Sequence, residues 1–241
     1  MFTSLAGKTI LITGAAGGIG SETARVCASL GADLVLADMA APDALAHEIH
    51  SAFGTSARAV ALDVCDRAQN EAVIDACARL DAVVANAGIC PWDEWDAPDW
   101  DAVFQQVIDV NVLGVIHLLR PAMRKMMVQG AGKIVLVSSI AARMGGINAS
   151  PHYVASKGGI LALLKWLARK GAVHGINVNG VAPGPTATAM TQTTTFDVSG
   201  LPLGRMANAR EIALPIAFLC SAGADYMCGA ILDVNGGAWI G

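Results

Sequence analysis

This sequence predicts a doubly wound α/β fold in a single domain covering residues 1–241, with a parallel sheet of about seven strands. Three observations carry that expectation. Short β-rich runs alternate with stretches of helical length, the runs are continuously apolar, and no repeat, low-complexity segment or linker divides the chain. A strand that is apolar on both faces must be covered on both faces, which helices on either side of a parallel sheet accomplish. A chain of 241 residues suits one such domain with a substantial core.

The first run, KTILIT (8–13), leads into the glycine-rich TGAAGGIG and a helical stretch at 18 to 30. ADLVLA (32–37) is the second strand and ARAVAL (57–62) the third, with a helix at 67 to 79 after it. DAVVA (81–85) precedes a long helical stretch at 99 to 128. GKIVLVS (132–138), a helix at 151 to 173, INVNGVA (176–182), a helix at 208 to 222 and AILDV (230–234) complete the alternation. Two segments, ICPWDEWDAPDW (89–100) and GPTATAMTQTTTFDVSGLP (184–202), fit neither period. Both follow strands, at the carboxyl edge where doubly wound sheets bind ligands, and are candidate pocket walls.

Composition narrows the function classes. Hydrophobic residues make up 54% of the chain and charged ones 15%, so much apolar surface must be buried inside the fold or between subunits. The apolar runs are interrupted too often for a membrane span of ~20 residues, and MFTSLAGKTILITG has no basic n-region, h-region or cleavage site. A soluble, cytoplasmic protein is expected. A net charge of -4 and no basic run longer than two residues argue against nucleic acid as a partner. The six cysteines lie far apart with no CxxC pair, which reads as buried free thiols. His47 and His50 in HEIH offer two metal-ligand types but no third, so a solvated helix face is expected and no metal site.

In TGAAGGIG, Gly14, Gly18 and Gly20 let the backbone turn tightly, approach a pyrophosphate and start a helix whose amides face the anion. A strand precedes the motif, a helical pattern follows, and Asp38 ends the next strand 18 residues after Gly20. A carboxylate there accepts from ribose hydroxyls and repels a 2'-phosphate. Ala15 and Ala16 supply no base to neutralise such a phosphate, which points to NAD rather than NADP. A Rossmann-type dinucleotide site is therefore expected. Further on, Tyr153 and Lys157 stand at i and i+4, on one face of a helix. A phenol, which ordinarily titrates near pH ~10, is a poor base at neutral pH, and a nearby ammonium is expected to stabilise the phenolate.

With TGAAGGIG, NAG at 86–88, NVLG at 111–114, VSS at 137–139, YVASK at 153–157 and PG at 183–184 in this order, the chain resembles the short-chain dehydrogenase/reductase family from end to end. The resemblance implies a catalytic tetrad of Asn111, Ser139, Tyr153 and Lys157. Ser139 would donate a hydrogen bond to the substrate oxygen and Tyr153 would exchange the hydroxyl proton. Lys157 would hold the nicotinamide ribose, and the backbone carbonyl of Asn111 would bind a water leading to solvent. It also implies that Ile19 lies in the glycine loop, that Asp63 and Val64 meet the adenine, that Asn86, Gly88, Pro183 and Gly184 line the groove, and that Thr188 contacts the carboxamide. Local roles stand beside these: Asp63 could cap the following helix, and Asn86 could organise the turn after its strand.

The chain departs from the family pattern in three places. Ser139 precedes Tyr153 by fourteen residues, one more than is common, which keeps Ser138 as a reserve candidate. The segment 66 to 80 is short, with ANAG in place of NNAG, and the stretch from Thr188 to Pro202 is short as well.

Trp92, Trp95, Met144, Ile147, His152, Met190, Thr191 and Phe196 are expected around the substrate carbonyl. They suggest an apolar pocket for a cyclic, aromatic or short aliphatic secondary alcohol and its ketone. The tryptophans could equally pack under a loop or at a subunit contact, and His152, adjacent to Tyr153, is expected at the pocket mouth or in solvent. The helix at 151 to 173 carries more apolar surface than one sheet face can cover, which predicts a helix-to-helix interface and a homotetramer. The function expected is NAD-dependent oxidation of a secondary alcohol or reduction of its ketone. The alternatives are a 3-oxoacyl thioester reductase and a non-catalytic NAD-binding sensor. His174 stands where acyl-carrier reductases of the family often have arginine, and the retained tetrad speaks against the sensor. A nucleotide-sugar epimerase would need an added substrate domain.

Overall fold

The computed structural model describes residues 3–91, 95–146, 149–192 and 197–241. In chain order the elements are β1 (Thr9–Thr13), α1 (Gly18–Ser29), β2 (Asp33–Asp38), α2 (Asp43–Phe53), β3 (Ala57–Ala61), α3 (Arg67–Asp75), β4 (Ala82–Ala85), α4 (Trp100–Ile108), a π-helical segment (Asp109–Gly114), α5 (Val115–Gln129), β5 (Gly132–Val137), α6 (Ala141–Met144), α7 (Pro151–Ala172), β6 (Ile176–Pro183), β7 (Thr186–Ala187), β8 (Ala207–Asn208), α8 (Ala209–Cys220) and β9 (Ile231–Val234).

Seven strands form one parallel sheet in the order β3-β2-β1-β4-β5-β6-β9, as the apolar runs predict. The side chains explain why those runs read as apolar throughout. Successive residues point to opposite faces, so Ile10, Ile12, Leu34, Leu36, Ala82 and Val84 enter one buried cluster with α1, α2 and α8. Leu11, Val35, Val83, Ala85, Ile134 and Leu136 enter the other, with α3, α5 and α7. The strand order reverses between β1 and β4. Connections leave to opposite sides there, and a crevice opens at the carboxyl ends of the strands.

Three local departures from the sequence pattern have physical causes. α2 covers the sheet through Leu45, Ala46 and Ile49, a signal spread over a single turn, while His47 and His50 face solvent as expected. The stretch at 99 to 128 is continuous helix but passes through a π segment, where an extra residue per turn lets Asn111 point inward and bury. That helical stretch, Trp100–Gln129, is the one among the described residues long and apolar enough by length and composition to cross a membrane, contrary to the expectation that the apolar runs are too interrupted. In the fold it packs on α3 and on the sheet along one side.

Among the described residues the six cysteines form no disulfide; Cys27, Cys77 and Cys220 are buried, Cys65 and Cys90 half-buried, and Cys228 exposed, so the expectation of buried thiols holds for three. No metal-binding cluster occurs among the described residues.

Candidate active site

The crevice begins at Thr13, where β1 ends and Gly14 turns the chain at φ +65. Asn86 holds that turn. Its side-chain amide donates to the carbonyls of Thr13 and Gly14, both at 3.0 Å, and its backbone N–H donates to the Thr13 hydroxyl. Asn86 therefore shapes the glycine loop from the neighbouring strand, besides lining the cavity. A Cβ on Gly20 would collide with the Gly14 carbonyl, and one on Gly18 would lie 2.6 Å from the Thr188 methyl. These two glycines are needed for close packing of the loop, α1 and the segment after β6.

α1 starts at Gly17 with no side-chain cap and no acid in its first turn, which leaves its amides for an anion. Asp38 sits at the end of β2 with one carboxylate oxygen accepting from the Ala16 N–H (2.9 Å) and the other from Met39 (2.8 Å). Each oxygen keeps a further lone pair for a ribose hydroxyl. This donor and acceptor set fits a dinucleotide. Beyond it, Asp63 and Val64, expected to meet the adenine, line the cavity. Asp63 is not the cap of α3; that role falls to Asp66, which accepts from Ala68 and Gln69, while Asp63 accepts from Cys65. Gly88, Pro183 and Gly184 complete the groove. Gly184 is pinned by its N–H to the Val234 carbonyl, where a Cβ would approach the Asn235 backbone to 2.8 Å.

The tetrad residues meet at the other end. Ser139, Tyr153 and Lys157 line the same cavity, and Asn111 lies behind them. Asn111 is fixed by three bonds: it accepts from the Ile89 N–H and donates to the Ile89 carbonyl and to the Ser156 hydroxyl. The two serines have different surroundings. Ser138 is buried and donates to the backbone carbonyl of Lys157 at 2.9 Å, so it ties β5 to α7. Ser139 faces the cavity, close enough to Tyr153 to oppose the rise in its pKa, and accepts from the Ala141 N–H at 3.1 Å.

The Lys157 ammonium donates to the Val137 carbonyl at 3.0 Å and lies 5.6 Å from the centre of the Tyr153 ring. Burial is the largest influence on the pKa of both groups. It pushes the Lys157 amine down to about 8 and the Tyr153 phenol well above its usual range, with the nearby Cys90 adding to the rise and the Ser139 hydrogen bond opposing it. This corrects the expectation that Lys157 lowers the phenol pKa. The lysine is itself desolvated, and loss of water around the phenol is the largest influence on Tyr153.

The substrate end differs most from the sequence reading. Met144, Met190 and Thr191 line the cavity. Trp95 does not: its ring packs against Trp100 at 5.4 Å and is 69% exposed. His152 is fully buried, edge-on to Trp100, neither at the pocket mouth nor in solvent, because the first turn of α7 is covered by α4. Trp92, Ile147 and Phe196 lie outside the described residues. Thr188 lines the cavity, with its N–H donating to the Thr191 hydroxyl, which in turn donates to the Thr186 carbonyl. Ile89, Cys90 and Leu201, from the two segments expected as pocket walls, line the cavity. Wall residues outside those segments, which the sequence reading missed, include Gln105 and Ala238; Ala238, in a glycine-rich tail, had no signal.

One cavity of about 1620 Å³ thus joins a glycine loop at a helix N-terminus, a carboxylate at a strand end and a serine-tyrosine-lysine cluster. Such a site on such a sheet defines a dinucleotide-dependent oxidoreductase. The chain belongs to the short-chain dehydrogenase family, whose family model matches residues 8–198. It is 36% identical over 252 residues to the L-rhamnose 1-dehydrogenase (NAD(P)(+)) of Azotobacter vinelandii, covering 97% of each chain. It is 39% identical to the cis-4-hydroxycyclohexanecarboxylate dehydrogenase of Sinomonas cyclohexanicum, covering 98% of each. The crystal structure of a short-chain type dehydrogenase/reductase from Mycobacterium marinum superposes with a TM-score of 0.94 at 31% identity, covering 100% of this chain and 98% of that one. Membership makes the protein an oxidoreductase of alcohols or ketones that uses a nicotinamide cofactor.

Proposed function

We propose that the protein is an NAD-dependent dehydrogenase of small secondary alcohols and their ketones, cyclic, aromatic or aliphatic, working as a homotetramer. The observation that carries the reading is the continuity of the cavity: the ribose-binding Asp38 and the Ser139–Tyr153–Lys157 cluster line one space. Asp38 favours NAD because a 2'-phosphate would meet its carboxylate, and Ala15 and Ala16 offer no compensating base. At the substrate end Ile89, Cys90, Met144, Met190 and Leu201 make an apolar wall, suited to a hydrocarbon body around one reacting oxygen. The relative named for cis-4-hydroxycyclohexanecarboxylate, a cyclic secondary alcohol that carries a carboxylate, supports a six-membered ring at the reacting carbon.

When bound, the nicotinamide supplies the hydride acceptor for oxidation or the donor for reduction. The chain supplies the rest. Ser139 donates to the substrate oxygen, and Tyr153 takes the hydroxyl proton in oxidation or returns it in reduction. Lys157 holds the ribose hydroxyls and supplies positive charge beneath the phenol. Asn111, locked by Ile89 and Ser156, keeps the π segment in register so that its carbonyl can hold a water on the proton path.

The assembly reading rests on an apolar groove of about 620 Å³ between α5 and α7, lined by Ile116, Met123, Leu163 and the 55% exposed Trp166. Only a third of the most apolar window of Trp100–Gln129 is buried. A second copy of this face would cover both.

Absorbance of the reduced cofactor during a screen of cyclic, aromatic and aliphatic secondary alcohols tests the reading. NAD should support turnover of at least one class far better than NADP. Equal kcat/KM with the two cofactors would overturn the cofactor assignment, and no turnover of any class would overturn the substrate assignment.

A further inference from the structure

Three segments close the substrate end of the cavity, and one arginine touches two of them. α6 follows Ser139 directly and carries Met144 into the wall; the residues around Leu201 form a second side; the C-terminal tail contributes Ala238. Arg143, on α6, reaches out of the cavity toward the tail. Its guanidinium donates from Nε and Nη2 to the two carboxylate oxygens of Asp233 on β9, at 3.1 and 3.2 Å, and lies over the Trp239 ring at 4.8 Å. Its side chain is only 22% exposed. Such a paired fork with a stacked face fixes a guanidinium in one orientation.

The tail it grips is a closed turn. Asn235 is buried, accepts from the Gly237 N–H and donates to the Trp239 carbonyl. That turn backs the Leu201 segment: the Leu203 N–H donates to the Gly236 carbonyl, and Gly236 and Gly237 lie against Leu203 and Pro202 so closely that a side chain on Gly237 would press on the proline.

We infer that Arg143 is a positioning residue, which through Asp233 and Trp239 clasps the C-terminal tail to α6 and so fixes the substrate end of the cavity. It touches no part of the cofactor groove. The inference rests on the functional reading above only for its kinetic consequence. The clasp itself is a statement about the tail.

The test uses full-length Arg143→Met and Asp233→Asn, with Arg143→Lys as the conservative variant. Hydrogen exchange of the backbone amides in 235–241 should accelerate in the first two. KM for the alcohol should rise about 10-fold while kcat falls far less, since a charge-assisted fork orients the wall and not the reacting atoms. NADH affinity, followed by fluorescence, should not move. Arg143→Lys, which keeps the charge and loses the fork, should recover part of the KM. Should Arg143→Met fail to fold, Trp239→Leu removes the stacked face alone and is read in the same way. Unchanged exchange in the tail would overturn the clasp, whatever the activity. Accelerated exchange with unchanged KM, or an equal loss of NADH affinity, would overturn the positioning role. A wild type that oxidises no alcohol would sink the functional reading and leave the exchange result to judge the clasp.

Discussion

The cofactor end and the substrate end of the cavity are built by different means. At the cofactor end the functional groups stand on regular elements: the glycine loop between β1 and α1, Asp38 at the tip of β2, and Asn86 reaching from beyond β4 to hold the loop. At the substrate end the walls are short turns, the two-residue pairing of β7 with β8, and a tail held by side chains. Dinucleotide binding needs a fixed shape, and a sheet edge provides one. Substrate choice needs a shape that can vary without disturbing the sheet, and loops provide that.

Four measurements put this contrast at risk. The largest effect belongs to the proton-transfer group where the two ends meet. Tyr153→Phe should cut turnover by about 100-fold or more, since general acid-base catalysis is typically worth that much. Because the glycine loop, Asp38 and Lys157 are left intact, NADH binding should survive. For wild-type oxidation the rate should climb on the alkaline side, as burial holds the phenol protonated at neutral pH, and Tyr153→Phe should abolish that climb. Near-normal turnover of Tyr153→Phe, with chemistry limiting, would refute the mechanism.

Next comes the burial of Lys157. Its folded-state pKa of about 8 lies below the ordinary lysine value of 10.5, so the unfolded chain binds the extra proton between those limits. Stability from this group is therefore present above the unfolded pKa and is lost as pH falls through 8. Measured against Lys157→Met by denaturant melts, the wild type should gain about 2 kcal/mol between pH 8 and 10. A stability difference that is flat over that range would show that the ammonium is not desolvated.

A smaller effect is expected at the ribose. Asp38→Ala should narrow the preference for NAD over NADP by about 10-fold, because the variant loses both a hydrogen-bond acceptor and a repelling charge. The ratio of kcat/KM for the two cofactors measures it directly; an unchanged ratio would move the source of selectivity elsewhere. Smallest of all is Trp95→Ala. Its ring lies on Trp100 outside the cavity, so kcat and KM for the alcohol should both stay within about 2-fold, as for a surface site. A large rise in KM would return Trp95 to the pocket.

The sheet and the glycine loop are legible in the chain read alone. Each is written locally: apolar runs of strand length, a glycine-rich turn between a strand and a helix, a carboxylate at the next strand end. The tetrad is expected only through the resemblance to the family, since a tyrosine and a lysine one helical turn apart do not by themselves name it. Folding settled what depends on residues distant in the chain. Ser138 was excluded by the Lys157 carbonyl, 19 residues away in sequence, and Asn111 was turned inward by a π segment that no residue type announces. His152 was buried beneath Trp100 and Trp95 left outside the cavity by the packing of α4 on α7. Burial in the folded chain raises the Tyr153 pKa and lowers that of Lys157, the reverse of the phenol shift that their spacing alone suggests. Spacing along a helix fixes which side chains are neighbours, whereas the water each one loses is fixed only when the rest of the chain closes over it.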